Sequence, residues 1–234
     1  MRILIANPNV TQRMTDLMVA EARRHCRADT VITGVSAEFG VSYIANRSEM
    51  AIAGHALLDI LARHHGDHDA VVIGAFCHSF VDAAKELVPK PVVGLAEAGM
   101  RAAQFFGKRI SLISVGDRNR CANEEMVEDL NMTREVVSIR LLNLSGTDLA
   151  NDQEKADDAV IATCRAAVEE DNADVVVLAG AAFAEMAGRI AGEVPVPVIT
   201  PVPYAVAIAE QAVLTGWRVP TAGSYAQPGR KETK

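Results

Sequence analysis

The feature that most constrains this chain is an internal repeat at a nearly constant spacing. The apolar segment opening at Arg2-Ile3 returns at Arg109-Ile110. The run AVVIGAF at 70–76 returns as VVVLAGA at 175–181, and Pro91-Val92-Val93 as Pro197-Val198-Ile199. The offsets are 105 to 107 residues. Within each copy, short apolar runs of strand type alternate with longer segments of helical period. The spacing predicts strands at 2–6, 30–35, 70–75 and 91–94, with helices over 11–26, 48–65, 79–88 and 96–106. It predicts a second set of strands at 109–114, 135–140, 174–179 and 196–199, with helices over 121–130, 153–171, 183–192 and 203–215.

Such alternation implies parallel sheets covered by helices. The expected fold is therefore α/β: two pseudo-symmetric lobes, each a mostly parallel sheet flanked by helices. Residues 1–100 with 205–234 are expected to form lobe one, and 101–204 lobe two. In open α/β sheets ligands bind beyond the carboxyl ends of the strands, so a pocket is expected between the lobes, where those ends face each other.

Composition narrows the partners. Half of the 234 residues are hydrophobic, enough for two cores. The net charge is −7, and the basic cluster Arg230-Lys231 with Lys234 reads as a solvated tail, so no nucleic-acid partner is expected. No apolar run approaches the ~18 residues of a membrane helix. The opening MRILIANPN reads as a first strand rather than a signal peptide. A cytoplasmic protein with a small-molecule substrate is expected. Cys26, Cys77, Cys121 and Cys164 are far apart, with no C-x-x-C, which argues against a disulfide framework or zinc knuckle. The run HHGDH at 64–68 falls between a helix and a strand and reads as a polar loop rather than a metal site.

Ordered motifs then point to a family. Asn7-Pro8-Asn9-x-Thr11-x-x-Met14-Thr15, Asp82-Ala83-Ala84-Lys85-Glu86-Leu87, Pro91 to Ala98, and Val196-Pro197-Val198-Ile199 occur in the order and spacing of one group of enzymes. Over about residues 1–215 the chain resembles the hydantoin racemase branch of the aspartate/glutamate racemase superfamily. The resemblance implies two α/β lobes, neither metal nor organic cofactor, and a homo-oligomer. It also implies two cysteines facing each other across the substrate carbon, one removing the α-proton and the other reprotonating the opposite face. This sequence departs from that pattern at both positions. The first cysteine matches Ala75, and the second matches Gly180. Neither side chain moves a proton.

Residues near the two vacated positions are the candidates that remain. Cys77 lies two residues beyond Ala75, just before the helix expected at 79, whose dipole would favour a thiolate. His78 is adjacent and suits proton transfer. Cys77 as a small packed residue is the alternative. Backbone N–H groups of Phe76, Cys77, Ala181 and Ala182 are candidates to hold a carboxylate or enolate from two sides. Asn7, Asn9 and Ser114, at the ends of strands one and five, are candidate substrate contacts, although Asn-Pro-Asn also makes a turn unaided. Arg47 is a candidate for holding an acidic substrate, Ser79 for a contact or a helix cap, and Tyr43 and Tyr204 for the pocket wall. Three functions stay open. One is an isomerase acting at an acidic carbon beside a carbonyl, in a cyclic ureide or amino-acid-like acid. The second is a cysteine-dependent lyase or hydrolase, and the third a non-catalytic binder.

Overall fold

The computed structural model describes residues 1–78, 80–116, 119–143 and 153–227. The first sheet contains β1 (Arg2–Asn7), β2 (Val31–Ser36), β3 (Ala70–Ile73) and β4 (Val92–Gly94), in the order β2-β1-β3-β4. The second contains β5 (Ile110–Val115), β6 (Val136–Leu142), β7 (Val175–Leu178) and β8 (Val198–Ile199), in the order β6-β5-β7-β8. Every pairing in both sheets is parallel. The repeat seen in sequence is thus a repeat of topology, down to register. Ile3 pairs with Ala70 as Ile110 pairs with Val175. The central strands β3 and β7 are buried along their whole length, as continuous Val/Ile runs covered on both faces require.

An aspartate marks the base of each sheet. Asp69 Oδ2 accepts the N–H of Arg2 at 2.7 Å, and Asp174 Oδ2 accepts the N–H of Arg109 at 3.0 Å. At the opposite ends the ladders close alike. The N–H of Gly74 donates to the carbonyl of Ala6 at 2.8 Å, and that of Ala179 to Ile113 at 2.7 Å. Each chain then leaves its sheet at the same height.

Helices α1 (Gln12–His25), α2 (Arg47–His64), α3 (Val81–Leu87) and α4 (Leu95–Ala103) alternate with the first strands. Helices α5 (Arg120–Asp129), α6 (Gln153–Asp171), α7 (Met186–Ile190) and α8 (Pro201–Leu214) follow. On α1, Met14, Met18 and Ala22 form the buried stripe expected from their spacing. Helix α4 is buried on two sides. Leu95 and Ala98 join the core of the first sheet, while Ala96, Met100 and Ala103 join that of the second. Helix α8 crosses α4 closely, because a Cβ at Gly99 would stand 3.0 Å from Pro201. It buries Ala205, Val206 and Ala209 against the first sheet. Its buried Glu210 accepts the N–H of Arg27 at 2.9 Å, so that carboxylate is not left unpaired.

Two expected helices differ in detail. The helix expected from 79 begins at Val81, with Phe80 in the capping position and no side-chain cap bond; Ser79 itself lies outside the described residues. The helix expected over 183–192 is divided into a 3-10 turn at Ala181–Phe183 and α7. Glu185 separates them in the left-handed region at φ 69°, which brings its carboxylate 2.8 Å from Arg24 on α1. That contact spans the lobes, so local helical period carries no sign of it. In the HHGDH run, His65 and His68 turn their Nδ1 atoms to the carbonyls of Leu61 and His64 at the end of α2. No group of three or more metal-ligating side chains gathers there or elsewhere among the described residues. No described helix is long and apolar enough to cross a membrane.

Candidate active site

The carboxyl ends of the two sheets meet at a cleft of about 950 Å³, its open mouth included. From lobe one the wall is built by Asn9, Tyr43, and the segment Gly74 to His78 that leaves β3. From lobe two it is built by Ser114 and Val115 at the end of β5, by one face of α5, and by Ala179 to Phe183 leaving β7. Ala75 and Gly180, the positions matched by resemblance to the two cysteines, both line it.

The backbone at those strand ends is rich in unspent donors. Among the described residues, the N–H groups of Ala75, Phe76, Gly180, Ala181 and Ala182 make no backbone hydrogen bond. Gly180 sits at φ 130° and ψ 158°, a conformation essentially limited to glycine. The chain there turns off the strand and starts a 3-10 turn, whose first N–H groups have no partner within it. Phe76 packs into the cores of both lobes, and Ala181 of lobe two packs into the core of lobe one. Each strand end is therefore held by the opposite lobe.

The side chains divide into those held by the protein and those left open. Asn7 is fully buried and lies behind the wall. Its Nδ2 donates to Thr15 Oγ1 at 2.8 Å and to Asn9 Oδ1 at 3.1 Å, so it shapes the turn that carries Asn9. Asn9 reaches the wall. The Tyr43 hydroxyl donates to the Val115 carbonyl at 3.0 Å and accepts from Asn119 Nδ2 at 2.6 Å. Burial raises its pKa above the ordinary phenol value, so it stays a neutral clasp between the lobes. Ser114 is buried, and its hydroxyl has no hydrogen bond among the described residues.

Cys77 is buried in the wall, and His78 beside it has a buried Nδ1 with no hydrogen-bond partner. Helix α3 starts four residues after Cys77. The first-turn dipole expected there does not extend that far.

Two expected contacts lie elsewhere. Arg47 opens α2 with an exposed guanidinium that pairs with Glu125, which holds its pKa above the usual arginine value. Tyr204 packs edge-on to Phe106, 6.2 Å between centroids, away from the cleft. Sequence reasoning also passed over α5, which gives Ala122, Asn123, Glu125, Met126 and Asp129 to the wall. The repeat was the available signal. Helix α5 is the counterpart of α1, and Met14 of α1 lines the same cleft. Among the described residues, no lysine or arginine lines the cleft.

Two pseudo-symmetric parallel sheets with a cleft between their carboxyl ends, walled by strand-end backbone, apolar side chains and a few polar ones, define a small-molecule site of the α/β type. Comparison with known proteins identifies its family. The model of the family described as Asp/Glu/Hydantoin racemase matches residues 3–209. The chain is 32% identical over 234 residues to a hydantoin racemase of Paenarthrobacter aurescens, covering 99% of each. The solved structure of an allantoin racemase from Pseudomonas fluorescens superposes with a TM-score of 0.95 at 28% identity, covering all of both chains. That of an allantoin racemase from Klebsiella pneumoniae gives 0.94 at 29%, covering 100% of this chain and 96% of the other. The chain belongs to the Asp/Glu/Hydantoin racemase family, in its hydantoin racemase branch, and is an enzyme of the racemase type.

Proposed function

We propose that this enzyme is a cofactor-independent racemase or epimerase acting at an acidic carbon beside a carbonyl in a small neutral ring, a cyclic ureide. The observation that carries this reading is the wall itself. Backbone N–H groups that make no backbone hydrogen bond among the described residues belong to lining residues at both strand ends, while the ionisable side chains supplied by α5 are the carboxylates Glu125 and Asp129. A wall of amide donors with no lysine or arginine among the described residues suits a carbonyl that becomes an enolate better than a carboxylate that is charged throughout. The names of the racemase relatives, which act on hydantoin and allantoin, agree with it.

Cys77 and His78 bring a thiol and an imidazole to the wall, groups able to take up and return a proton. In this reading they act on the lobe-one face. One accepts the α-proton, and the negative charge passes to the carbonyl oxygen under the amide donors. At the strand end facing Ala75, lobe two offers Gly180 and Ala181, which carry no acid. The proton for the second face then comes from water in the space above Gly180, and the hydroxide left behind recovers a proton from the lobe-one acid. The site is one-sided where the family pattern is two-sided. A cytoplasmic enzyme assembled from identical subunits goes with this reading.

The same one-sidedness supports a second reading, a lyase or hydrolase in which the Cys77 thiolate attacks and His78 assists. Proton NMR in heavy water separates the two. Wild type, Cys77→Ala and His78→Ala are each mixed with 5-substituted hydantoins, allantoin, substituted malonates and amino acids. Loss of the α-proton signal of a ureide without a new product is the expected result. A new product that disappears with Cys77→Ala would replace the racemase reading by the second. Binding with neither outcome leaves a ligand binder.

A further inference from the structure

Asn119 caps the start of helix α5 and Asn123 lies one turn further on it, and their circumstances differ. The Asn119 amide nitrogen is engaged, with Nδ2 donating to Tyr43 Oη at 2.6 Å and to the Val115 carbonyl at 2.7 Å. Asn123 also lines the cleft and is 5% exposed, yet its carboxamide makes no hydrogen bond among the described residues, and its Nδ2 is buried without a partner. Its wall neighbours on the helix, Ala122 and Met126, supply no conventional side-chain partner. A buried carboxamide normally finds partners in the protein or in ordered water. One left unspent in a cleft wall is complementary to something that enters the cleft.

A carboxamide offers a donor and an acceptor side by side in one plane. Its complement is a group presenting an acceptor and a donor with the same spacing, as an adenine edge does to asparagine. A lactam held cis by a small ring, C(=O)–N–H, has that pattern. A carboxylate has acceptors alone, so it meets the Asn123 donor but sets its second oxygen against Oδ1.

We propose that Asn123 reads a cis-lactam edge of the substrate ring through two hydrogen bonds and so is a specificity-determining residue, selecting ring ureides over amino-acid carboxylates. This inference rests on the proposed function, whose ring ureide it makes specific. Ser114, at the end of β5 on the same lobe, has a hydroxyl with no partner among the described residues and stands ready for a further ring substituent.

The test uses a 5-substituted hydantoin and its N1-methyl and N3-methyl forms, with wild type, Asn123→Ala and Asn123→Asp. Kinetics are read by α-proton exchange and binding by isothermal titration, with thermal unfolding as a check on the fold. In wild type, methylation of the nitrogen on the edge that is read should weaken binding about tenfold, or about 1.4 kcal/mol. Asn123→Ala should raise KM for the unmethylated ring about tenfold, change kcat by less than threefold, and bind the three rings equally. Asn123→Asp, which keeps the size and loses the donor, should show the same loss of discrimination. Variants that keep both the wild-type KM and the wild-type discrimination overturn the inference and leave the proposed function standing. If wild type binds and turns over amino acids but no ring ureide, the substrate assignment fails and the inference with it. Titration repeated in Cys77→Ala separates recognition from chemistry, since discrimination should survive there even if exchange does not.

Discussion

The hydroxyl of Tyr43, on the loop after β2, lies 2.6 Å from Nδ2 of Asn119, the residue capping α5, and donates at 3.0 Å to the carbonyl of Val115. One side chain of lobe one thus joins the strand end and the first helix of lobe two at the rim of the cleft. Its loop is fixed in turn. Asn46 accepts the N–H of Glu49 at 3.0 Å, and Glu49 accepts the N–H of Ala45 at 2.7 Å, a reciprocal pair at the start of α2.

Tyr43→Phe should remove this clasp while keeping the ring. Asn119 retains its bond to Val115, so the loss is that of the hydroxyl's own bonds, about 1–2 kcal/mol. For a chain of this size that lowers Tm by a few degrees. Thermal unfolding by circular dichroism checks it, and an unchanged Tm would remove the clasp from the account.

Gly180→Ala should destabilise the protein although space is available. The nearest atom to an added Cβ is Phe183 Cδ2, at 3.9 Å, so crowding is absent, but φ is 130°. The expected cost is about 1–3 kcal/mol of backbone strain. Ala75→Ser, at a residue without positive φ, should cost less. Chemical denaturation of both variants makes the comparison, and equal stability would contradict it. The same strain predicts that a cysteine returned to position 180 folds less well than one returned to position 75.

The thiols should separate by reactivity. Cys121 is exposed and should react with a disulfide reagent within the first phase. Cys164 is fully buried in the lobe-two core, and burial pushes its pKa up to about 12, so it should react only on unfolding. Cys77 should react slowly and be protected by a cleft ligand. The first phase should vanish in Cys121→Ser. Its persistence there would assign it to another thiol.

Acid should act partly through Asp171. Its hydrogen bond from Arg140, 2.6 Å from Nε to Oδ2, holds its pKa below the usual carboxylate value against a smaller opposing effect of burial. A carboxyl whose pKa is lower folded than unfolded adds stability above its unfolded value, near 4, and loses it as pH falls through the folded value. Asp171→Asn should therefore be less stable than wild type at pH 7, with the gap narrowing below about pH 4. Urea unfolding at several pH values tests this, and a gap constant with pH would exclude the linkage.

By itself the amino-acid sequence determined the two-lobed α/β plan, because buried parallel strands must be continuous apolar runs and the duplicated chain has them at 70–73 and 175–178. It also placed Ala75, Phe76, Cys77, His78, Asn9, Ser114 and Gly180 to Ala182 at strand ends, and in this fold strand ends border the cleft. What only the tertiary structure decided is which side chains face that cleft with bonds to spare. Asn7 and Asn9 are two residues apart and hydrogen-bond each other, yet Asn7 lies behind the wall and Asn9 reaches it. Asn119, at the cap of α5, and Asn123, one turn on, both line the cleft, and a tyrosine 76 residues before Asn119 engages one and not the other. Arg47 is taken by Glu125, 78 residues on. Hydrophobic period reports burial along one element. Hydrogen-bond partnership depends on which atoms the fold brings together, across the lobes for Asn119 and Arg47, and hydrophobic period does not encode it.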